Sequence, residues 1–321
     1  MPAMNSSRNS RHIPPGKAKA PGRAPRLQAP SQGFDWRERA HQYALLMRLD
    51  RPIGWLLLLW PTWWGLWSAA RGLPPWTTLL IFSAGVIVMR SAGCVINDWA
   101  DRWLDGGVQR TRLRPLATGK VSSREALALF AVLLLIALGL VLMTNTLTLK
   151  LAAVGAALAI VYPFVKRRSH LPQLWLGAAF GWSVPMAYAA VKGEVDALGW
   201  LLFFANVLWS SAYDTVYAMV DRDDDRRLGA RSLALLLGDL DLVGIAILHA
   251  SFLLAMALVG DRAGLGWPYA VGWCAALLVI VWQHWRIRGR DREACFTAFQ
   301  HSHWAGFALW LGMASSLVAK G

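Results

Sequence analysis

Residues 76–105 read WTTLLIFSAGVIVMRSAGCVINDWADRWLD. The first part of this stretch, residues 76–95, is mainly apolar, and an α-helix needs about 20 apolar residues to cross the hydrocarbon core of a bilayer. A segment that spans a membrane must satisfy its backbone hydrogen bonds internally, so a run of this length predicts a transmembrane helix. Asparagine and aspartate residues follow directly, at the predicted end of that helix.

The whole chain has the composition of a membrane protein. Hydrophobic residues make up 56% of its 321 residues and charged residues only 16%, whereas soluble domains carry about 25% charged residues. This composition argues against a soluble globular protein, a disordered protein and a coiled coil. The 3 cysteines lie in or beside apolar stretches and offer neither a disulfide framework nor metal-ligand spacing.

Apolar runs recur along the chain and predict an all-α fold, a polytopic membrane protein with about nine transmembrane helices in one bundle around a central cavity. We place these runs near residues 52–70, 76–95, 126–143, 147–164, 174–191, 198–217, 242–259, 267–285 and 303–319. Residues 1–40 are basic and rich in proline, which predicts a disordered tail. The predicted transmembrane domain is therefore residues 41–321.

The positive charge of the chain is distributed unevenly along the predicted topology. Of the 33 lysines and arginines, 27 fall in the N-terminal segment and the longer loops, five fall in the opposite loops and at the C-terminus, and Arg90 lies within the second span. Because basic residues accumulate on the cytoplasmic side, we expect a cytoplasmic N-terminus. The charge of +14 is thus a topology signal, and we expect no nucleic-acid partner and infer no obligate protein partner.

The first acidic motif, residues 97–105, follows the second span. Asn97, Asp101 and Asp105 are spaced i, i+4 and i+8, so they share one face of a helix, and Asp98 lies beside them. Like charges at this spacing repel each other. The motif therefore favours a bound cation.

The second acidic motif, residues 214–225, follows the sixth span, with Asp214, Asp221 and Asp225 on one helix face. Two facing sets of carboxylates suit a hard divalent ion, and Mg²⁺ binds through a few carboxylates together with substrate phosphates. We therefore expect Mg²⁺ as the cofactor, held by Asn97, Asp98, Asp101, Asp105, Asp221 and Asp225. The alternative is a set of solvated loop acids, but both motifs lie at equivalent helix exits, which favours a site.

Basic residues near both motifs complete the pattern of a diphosphate site. Arg51 opens the first span, Arg114 follows the first motif, and Lys166 and Arg167 end the fourth span. The alternative for Arg51, Lys166 and Arg167 is ordinary basic flanking on the cytoplasmic side of the membrane.

Arg90 differs from these residues because it lies inside the second span. It precedes Asn97 by seven residues and shares its helix face. A charge at that depth is costly and usually faces a cavity with a partner, here an aspartate of the motif or a carboxylate on a substrate. A hydrophobic bundle capped by Mg²⁺ and diphosphate chemistry implies a lipid-tailed diphosphate substrate, whose C–O bond a metal ion helps to break.

Several strings resemble the UbiA superfamily of intramembrane prenyltransferases, and within it the 4-hydroxybenzoate polyprenyltransferases. Residues 97–105 are similar to the first aspartate motif of the superfamily and residues 221–225 to the second. The closer resemblance covers about residues 45–317 and rests on the strings RPIG (51–54), MRSAGCVIND (89–98), RPL (114–116), YPF (162–164), HLPQ (170–173), GAAFGW (177–182) and YDTVYAMVDRDDD (213–225).

The resemblance implies a nine-helix bundle in a bacterial inner membrane. It implies transfer of a polyprenyl chain from polyprenyl diphosphate to the carbon ortho to the hydroxyl of 4-hydroxybenzoate, a step of ubiquinone biosynthesis. The catalytic carboxylates would be Asp101, Asp105, Asp221 and Asp225. The diphosphate-binding residues would be Arg51, Arg114, Lys166 and Arg167. We expect the aromatic substrate to contact Arg90, Asn97, Tyr162 and Asp214.

Two alternatives remain open. A related prenyltransferase could use a naphthoate, homogentisate, haem or chlorophyllide acceptor. A divalent-cation transporter could use the acids as its conduction site, but transport sites tend to lie near the bilayer midplane, whereas these acids follow the ends of the spans.

Overall fold

The computed structural model describes residues 35–102, 111–229 and 231–319, without the side chains of residues 163, 164, 166–168 and 228. Within these ranges the chain forms helices and connections and no strands. The helices are α1 (Trp36–Leu46), α2 (Ile53–Ala70), α3 (Trp76–Asp101), α4 (Ser123–Leu142), α5 (Thr146–Arg168), α6 (Pro172–Gly181), α7 (Ser183–Lys192), α8 (Ala197–Val220), α9 (Arg222–Leu228), α10 (Leu233–Leu237), α11 (Asp241–Arg262), α12 (Trp267–Ile287) and α13 (Arg292–Val318). The all-α prediction is confirmed.

Most predicted spans correspond to a single helix, but two helices extend well beyond their apolar run. α3 continues past residue 95 to Asp101, and α13 already begins at Arg292, although its apolar run starts near residue 303. Both extensions carry charged residues. The helices therefore continue beyond the part that an apolar run can predict.

Five segments are long and apolar enough to cross a membrane by length and composition: Trp76–Asp101, Ser123–Leu142, Pro172–Lys192, Leu233–Arg262 and Trp267–Ile287. Thr146–Tyr162 is a shorter apolar helix. These segments support a multi-pass membrane protein. The exact number of nine spans stays a prediction.

The predicted spans outside that set, α2, α8 and α13, pack against one another at the centre of the bundle. Each buries many of its side chains. Polar residues on such helices can face protein instead of lipid. By contrast, the only buried residues of α4 are Ala126 and Leu133, so α4 presents a mainly apolar surface to the outside of the bundle.

The predicted fifth span is divided into α6 and α7, which meet at Trp182. Pro185 has no N–H group, so the carbonyl of Gly181 lacks its helical donor. Trp182 lies at the break, where its Nε1 donates to the carbonyl of Leu151 at 2.8 Å. Its ring packs closely against Gly155. A Cβ added to Gly155 would lie only 2.9 Å from Cδ1 of Trp182. Packing against α5 thus stabilises the break.

The backbones of α12 and α13 approach each other at two glycines. A Cβ on Gly272 would clash with the carbonyl oxygen of Ala308, and a Cβ on Gly312 would lie 3.1 Å from the Cα of Gly272. Small residues permit such close helix contacts in membranes. The contact fixes α13 against α12.

α1 begins at Trp36, inside the segment that the sequence predicts to be a disordered tail up to residue 40. Arg39 joins this helix to the start of α4, since its Nη1 donates to the carbonyl of Lys120 at 2.8 Å and lies 3.1 Å from a carboxylate oxygen of Glu125. The helix therefore overlaps residues 36–40 of the predicted tail, whose boundary stays a prediction. Residues 1–34 lie outside the described residues.

A cavity of ≈ 450 Å³ lies near the N-terminal end of α3, lined by Thr77, Thr78, Ile81, Met143, Thr144, Asn145 and Ala190. This position is at the end of α3 opposite to Asp101, the last residue of the helix. The cavity is therefore distinct from the acidic motifs, and the predicted central cavity stays a prediction.

Candidate active site

Four of the predicted site residues come together from three helices. Asp101 of α3 and Asp214 of α8 both act electrostatically on the hydroxyl of Tyr162 in α5, and Arg90 of α3 acts on the same group. Asp214 and Arg90 also act on the neighbouring Tyr213. The first acidic motif and the helix that leads to the second one therefore both come near Tyr162.

The second motif continues from Asp214 along one side of α8. Asp221 lies seven residues further on, about two helical turns, and so points to the same side. It caps the end of α8 and its carbonyl accepts from the N–H of Asp225 at 2.8 Å. Asp221 and Asp225 are both partly buried.

Asp98 is buried and holds two arginines. Asp98 is only 1% exposed. Its Oδ1 lies 2.6 Å from Nη2 of Arg48 and 3.0 Å from Nη1 of Arg114. Arg48 lies between α1 and α2, and Arg114 lies in the loop before α4, so one carboxylate joins three parts of the chain. The predicted metal ligand Asp98 and the predicted diphosphate ligand Arg114 bind each other in the structure.

Arg292, the first residue of α13, binds the second motif. Its Nη2 lies 2.6 Å from Oδ2 of Asp224 and 3.6 Å from Oδ1 of Asp221. The hydrogen bond to Asp224 raises the pKa of the Arg292 guanidinium above its usual value. α13 thus brings a positive charge to the acids at the end of α8.

A second buried carboxylate, Asp241, fixes the segment that follows the second motif. It is 0% exposed and binds both Arg222 and Arg290, whose Nη2 lies 2.8 Å from Oδ1 of Asp241. Arg222 directly follows Asp221. The ion pair therefore ties the beginning of α9 to the beginning of α11 and to the connection between α12 and α13.

Sequence reasoning missed Arg48, Arg222, Arg290 and Arg292. In the sequence these residues look like the other basic residues of the predicted cytoplasmic loops. The available signal was the set of carboxylates at the ends of the spans, because buried carboxylates are usually paired.

Arg90 is partly buried in α3. Its Nη1 donates to Sγ of Cys94 at 2.9 Å. Over residues 35–102, 111–229 and 231–319, no carboxylate lies within ion-pair distance of Arg90. Its charge therefore differs from those of Arg48 and Arg114, which are both paired with Asp98.

The other predicted diphosphate ligands are less closely defined by the structure. Arg51 is exposed at the start of α2 and lies 3.4 Å from the carboxylate of its neighbour Asp50. Among the predicted site residues, Asp105 lies outside the described residues, and so do the side chains of Lys166 and Arg167. Their roles stay predictions.

The donor groups at this end of the bundle suit Mg²⁺. Asn97, Asp101, Asp221 and Asp225 offer amide and carboxylate oxygens, the hard ligands that Mg²⁺ prefers. Among the described residues, no three acidic, histidine or cysteine side chains form a cluster that could hold an ion by themselves. Since Mg²⁺ often binds through only one or two carboxylates together with water and phosphate, these residues fit an ion shared with a diphosphate.

Comparison with known proteins gives the family. The family model of the UbiA prenyltransferase family matches residues 58–312. The chain belongs to this family. Apart from Arg51, the predicted site residues all fall within the UbiA match.

Curated relatives resemble almost the whole chain. The 4-hydroxybenzoate octaprenyltransferase of Xanthomonas euvesicatoria pv. vesicatoria (strain 85-10) is 55% identical over 290 residues, which cover 90% of this chain and 96% of the relative. The protein of the same name from Xylella fastidiosa (strain M12) is 54% identical over 279 residues, which cover 87% and 93%.

Solved UbiA structures share the fold. An apo UbiA homolog from Aeropyrum pernix K1 has a TM-score of 0.73 and 29% identity, covering 81% of this chain and 97% of that one. A UbiA homolog from Archaeoglobus fulgidus bound to GPP and Mg²⁺ has a TM-score of 0.64 and 16% identity, covering 87% and 99%. The second similarity concerns the fold alone.

We expect Asp98→Ala to lower the melting temperature of the purified protein strongly, because Arg48 and Arg114 both lose this carboxylate. Breaking a buried ion pair by removing one partner costs about 3–5 kcal/mol. Asp50→Ala is the matched control, since it removes only the exposed pair with Arg51, worth about 0–1 kcal/mol. Equal melting temperatures for the two variants would contradict a structural role of Asp98.

Proposed function

We propose that this UbiA-family protein transfers a polyprenyl chain from polyprenyl diphosphate to the ring carbon ortho to the hydroxyl of 4-hydroxybenzoate, a step of ubiquinone biosynthesis. Relatives that are about 55% identical over nearly their whole length are named for this pair of substrates. The structural observation that supports the proposal is the meeting of Arg90, Asp101, Asp214 and Tyr162 at one end of an apolar bundle.

The diphosphate would lie at the two acidic motifs. We propose that Mg²⁺ and diphosphate are held by Asn97, Asp101, Asp105, Asp221 and Asp225, with Arg51, Lys166 and Arg167 as further phosphate ligands. Asp98 and Arg114 leave this set because they bind each other. When bound, Mg²⁺ neutralises the leaving diphosphate and so favours breaking of the allylic C–O bond.

The aromatic acceptor would lie beside Arg90. Its carboxylate can form charge-assisted hydrogen bonds with the guanidinium, with Asn97, Tyr162 and Asp214 as neighbours of the ring. The ring carbon ortho to the hydroxyl forms a bond to C1 of the prenyl chain while the C–O bond to diphosphate breaks. The ring proton is then released, so the products are the prenylated acid, diphosphate and one proton. Holding both substrates in contact lowers the entropic part of the barrier.

The proposed site also predicts the orientation of the protein in the membrane. We propose a multi-pass protein of the bacterial inner membrane with the acidic motifs on the cytoplasmic side, since most basic residues lie in the segments at that end.

Alkaline phosphatase, which is active only outside the cytoplasm, tests this orientation. A fusion after Gly321 should be active, because the C-terminus is expected on the outer side. A fusion after Gly119, in the loop between α3 and α4, should be inactive and is the control. The reverse pattern would contradict the orientation.

Turnover by the purified protein tests the reaction itself. With 4-hydroxybenzoate, a polyprenyl diphosphate and Mg²⁺, we expect the 3-polyprenyl acid, loss of activity on chelation and its recovery on addition of Mg²⁺. The same assay with naphthoate, homogentisate, haem and chlorophyllide acceptors gives the comparison. Product from one of those acceptors and none from 4-hydroxybenzoate would overturn the proposed acceptor.

Carboxylate variants test the proposed metal ligands. Asp101→Asn and Asp225→Asn should each reduce kcat by about a hundredfold or more, because each loses a negatively charged oxygen ligand. Asp261→Asn is the matched control, since Asp261 is exposed in the last turn of α11, at the opposite end of that helix from Asp241. Near-normal turnover of either test variant would count against the assignment.

A further inference from the structure

Arg90 is held by a contact within its own helix. Its Nη1 donates to Sγ of Cys94, one turn further along α3, at 2.9 Å. Cys94 is 1% exposed, so its thiol has a fixed place in the packing. A thiol is a weak hydrogen-bond acceptor, so this contact orients the guanidinium without neutralising its charge.

The second contact of Arg90 is with the backbone of α2. A Cβ added to Gly54 would lie 2.6 Å from Nε and 2.9 Å from Nη2 of Arg90. Real Cβ atoms essentially never come within 3.0 Å of another heavy atom, so the guanidinium occupies the space that any other residue at position 54 would fill.

The backbone itself gives no reason for a glycine at position 54. Gly54 lies in the first turn of α2, and it is not among the residues with a positive φ. Alanine has a higher helix propensity than glycine. The close approach of Arg90 is therefore the physical reason why a glycine fits here.

We propose that Gly54 and Cys94 are positioning residues that set the guanidinium of Arg90 for the carboxylate of the aromatic acceptor. Gly54 leaves room for the guanidinium against α2, and Cys94 fixes its rotation. Together they make the site select acceptors that carry a carboxylate. This inference rests on the proposed function, and in particular on the role of Arg90.

The test compares two glycine-to-alanine variants. Gly54→Ala displaces the guanidinium, whereas Gly93→Ala adds the same methyl group on α3 where nothing lies within 4 Å of the new Cβ. Gly54→Ala should weaken the charge-assisted hydrogen bonds between Arg90 and the carboxylate of 4-hydroxybenzoate. Their loss should raise KM for 4-hydroxybenzoate about tenfold to a hundredfold. KM for the polyprenyl diphosphate should stay within about twofold, and Gly93→Ala should resemble the wild type.

A neutral acceptor separates positioning from general damage to the fold. Methyl 4-hydroxybenzoate has no carboxylate, so the ratio of its kcat/KM to that of 4-hydroxybenzoate should rise in Gly54→Ala and, to a smaller extent, in Cys94→Ala. Cys94→Ala also keeps the inference testable if Gly54→Ala does not fold. An unchanged ratio in both variants would overturn the inference.

Arg90 variants separate the failure of this inference from the failure of the proposed function. Arg90→Ala should give the full loss of preference for the carboxylate. In an Arg90→Lys background, Gly54→Ala should have no further effect on that preference, because no guanidinium is left to displace. A wild-type protein that leaves 4-hydroxybenzoate unreacted would overturn the proposed function and this inference together. A strong effect of Arg90→Ala beside unchanged ratios in both Gly54→Ala and Cys94→Ala would overturn the inference alone.

Discussion

Ion pairs between buried carboxylates and arginines from distant parts of the chain determine the arrangement of the acidic end of the bundle. Asp98 binds Arg48 and Arg114, and Asp241 binds Arg222 and Arg290. An unpaired charge is expensive to bury, so each carboxylate requires the loops that supply its arginines to take their observed positions. The ends of α3 and α8 and the beginnings of α2, α11 and α13 are thereby fixed relative to one another.

Two kinds of acid therefore lie at this end. Asp98 and Asp241 are each paired with two arginines, whereas Asp101 and Asp214 act on Tyr162 together with Arg90. Arg90 also differs from the structural arginines, since a thiol and a glycine hold it in place. The charges at this end thus include paired ones that fix the framework and others that lie near Tyr162.

The sequence predicts a helix well where contact with lipid requires an apolar composition. α4 and α12 follow directly from their apolar runs, whereas the first turns of α13 are polar and were not predicted, because Arg292 binds the second motif instead of facing lipid. Spacing predicted that Asp101 and Arg90 lie on one face of α3, and in the structure both lie near Tyr162. The binding of Asp98 to Arg48 could not be predicted, because it joins residues that are 50 positions apart and depends on how the helices pack.

The glycine contact between α12 and α13 has a consequence for the isolated protein. Backbone atoms meet there at Gly272 and Gly312, so the attraction between the two helices comes from close van der Waals contact and does not require burial of large apolar side chains. Detergent molecules compete for apolar side chains but are too bulky to enter such a contact. We therefore expect this helix pair to stay associated when the protein is extracted into micelles.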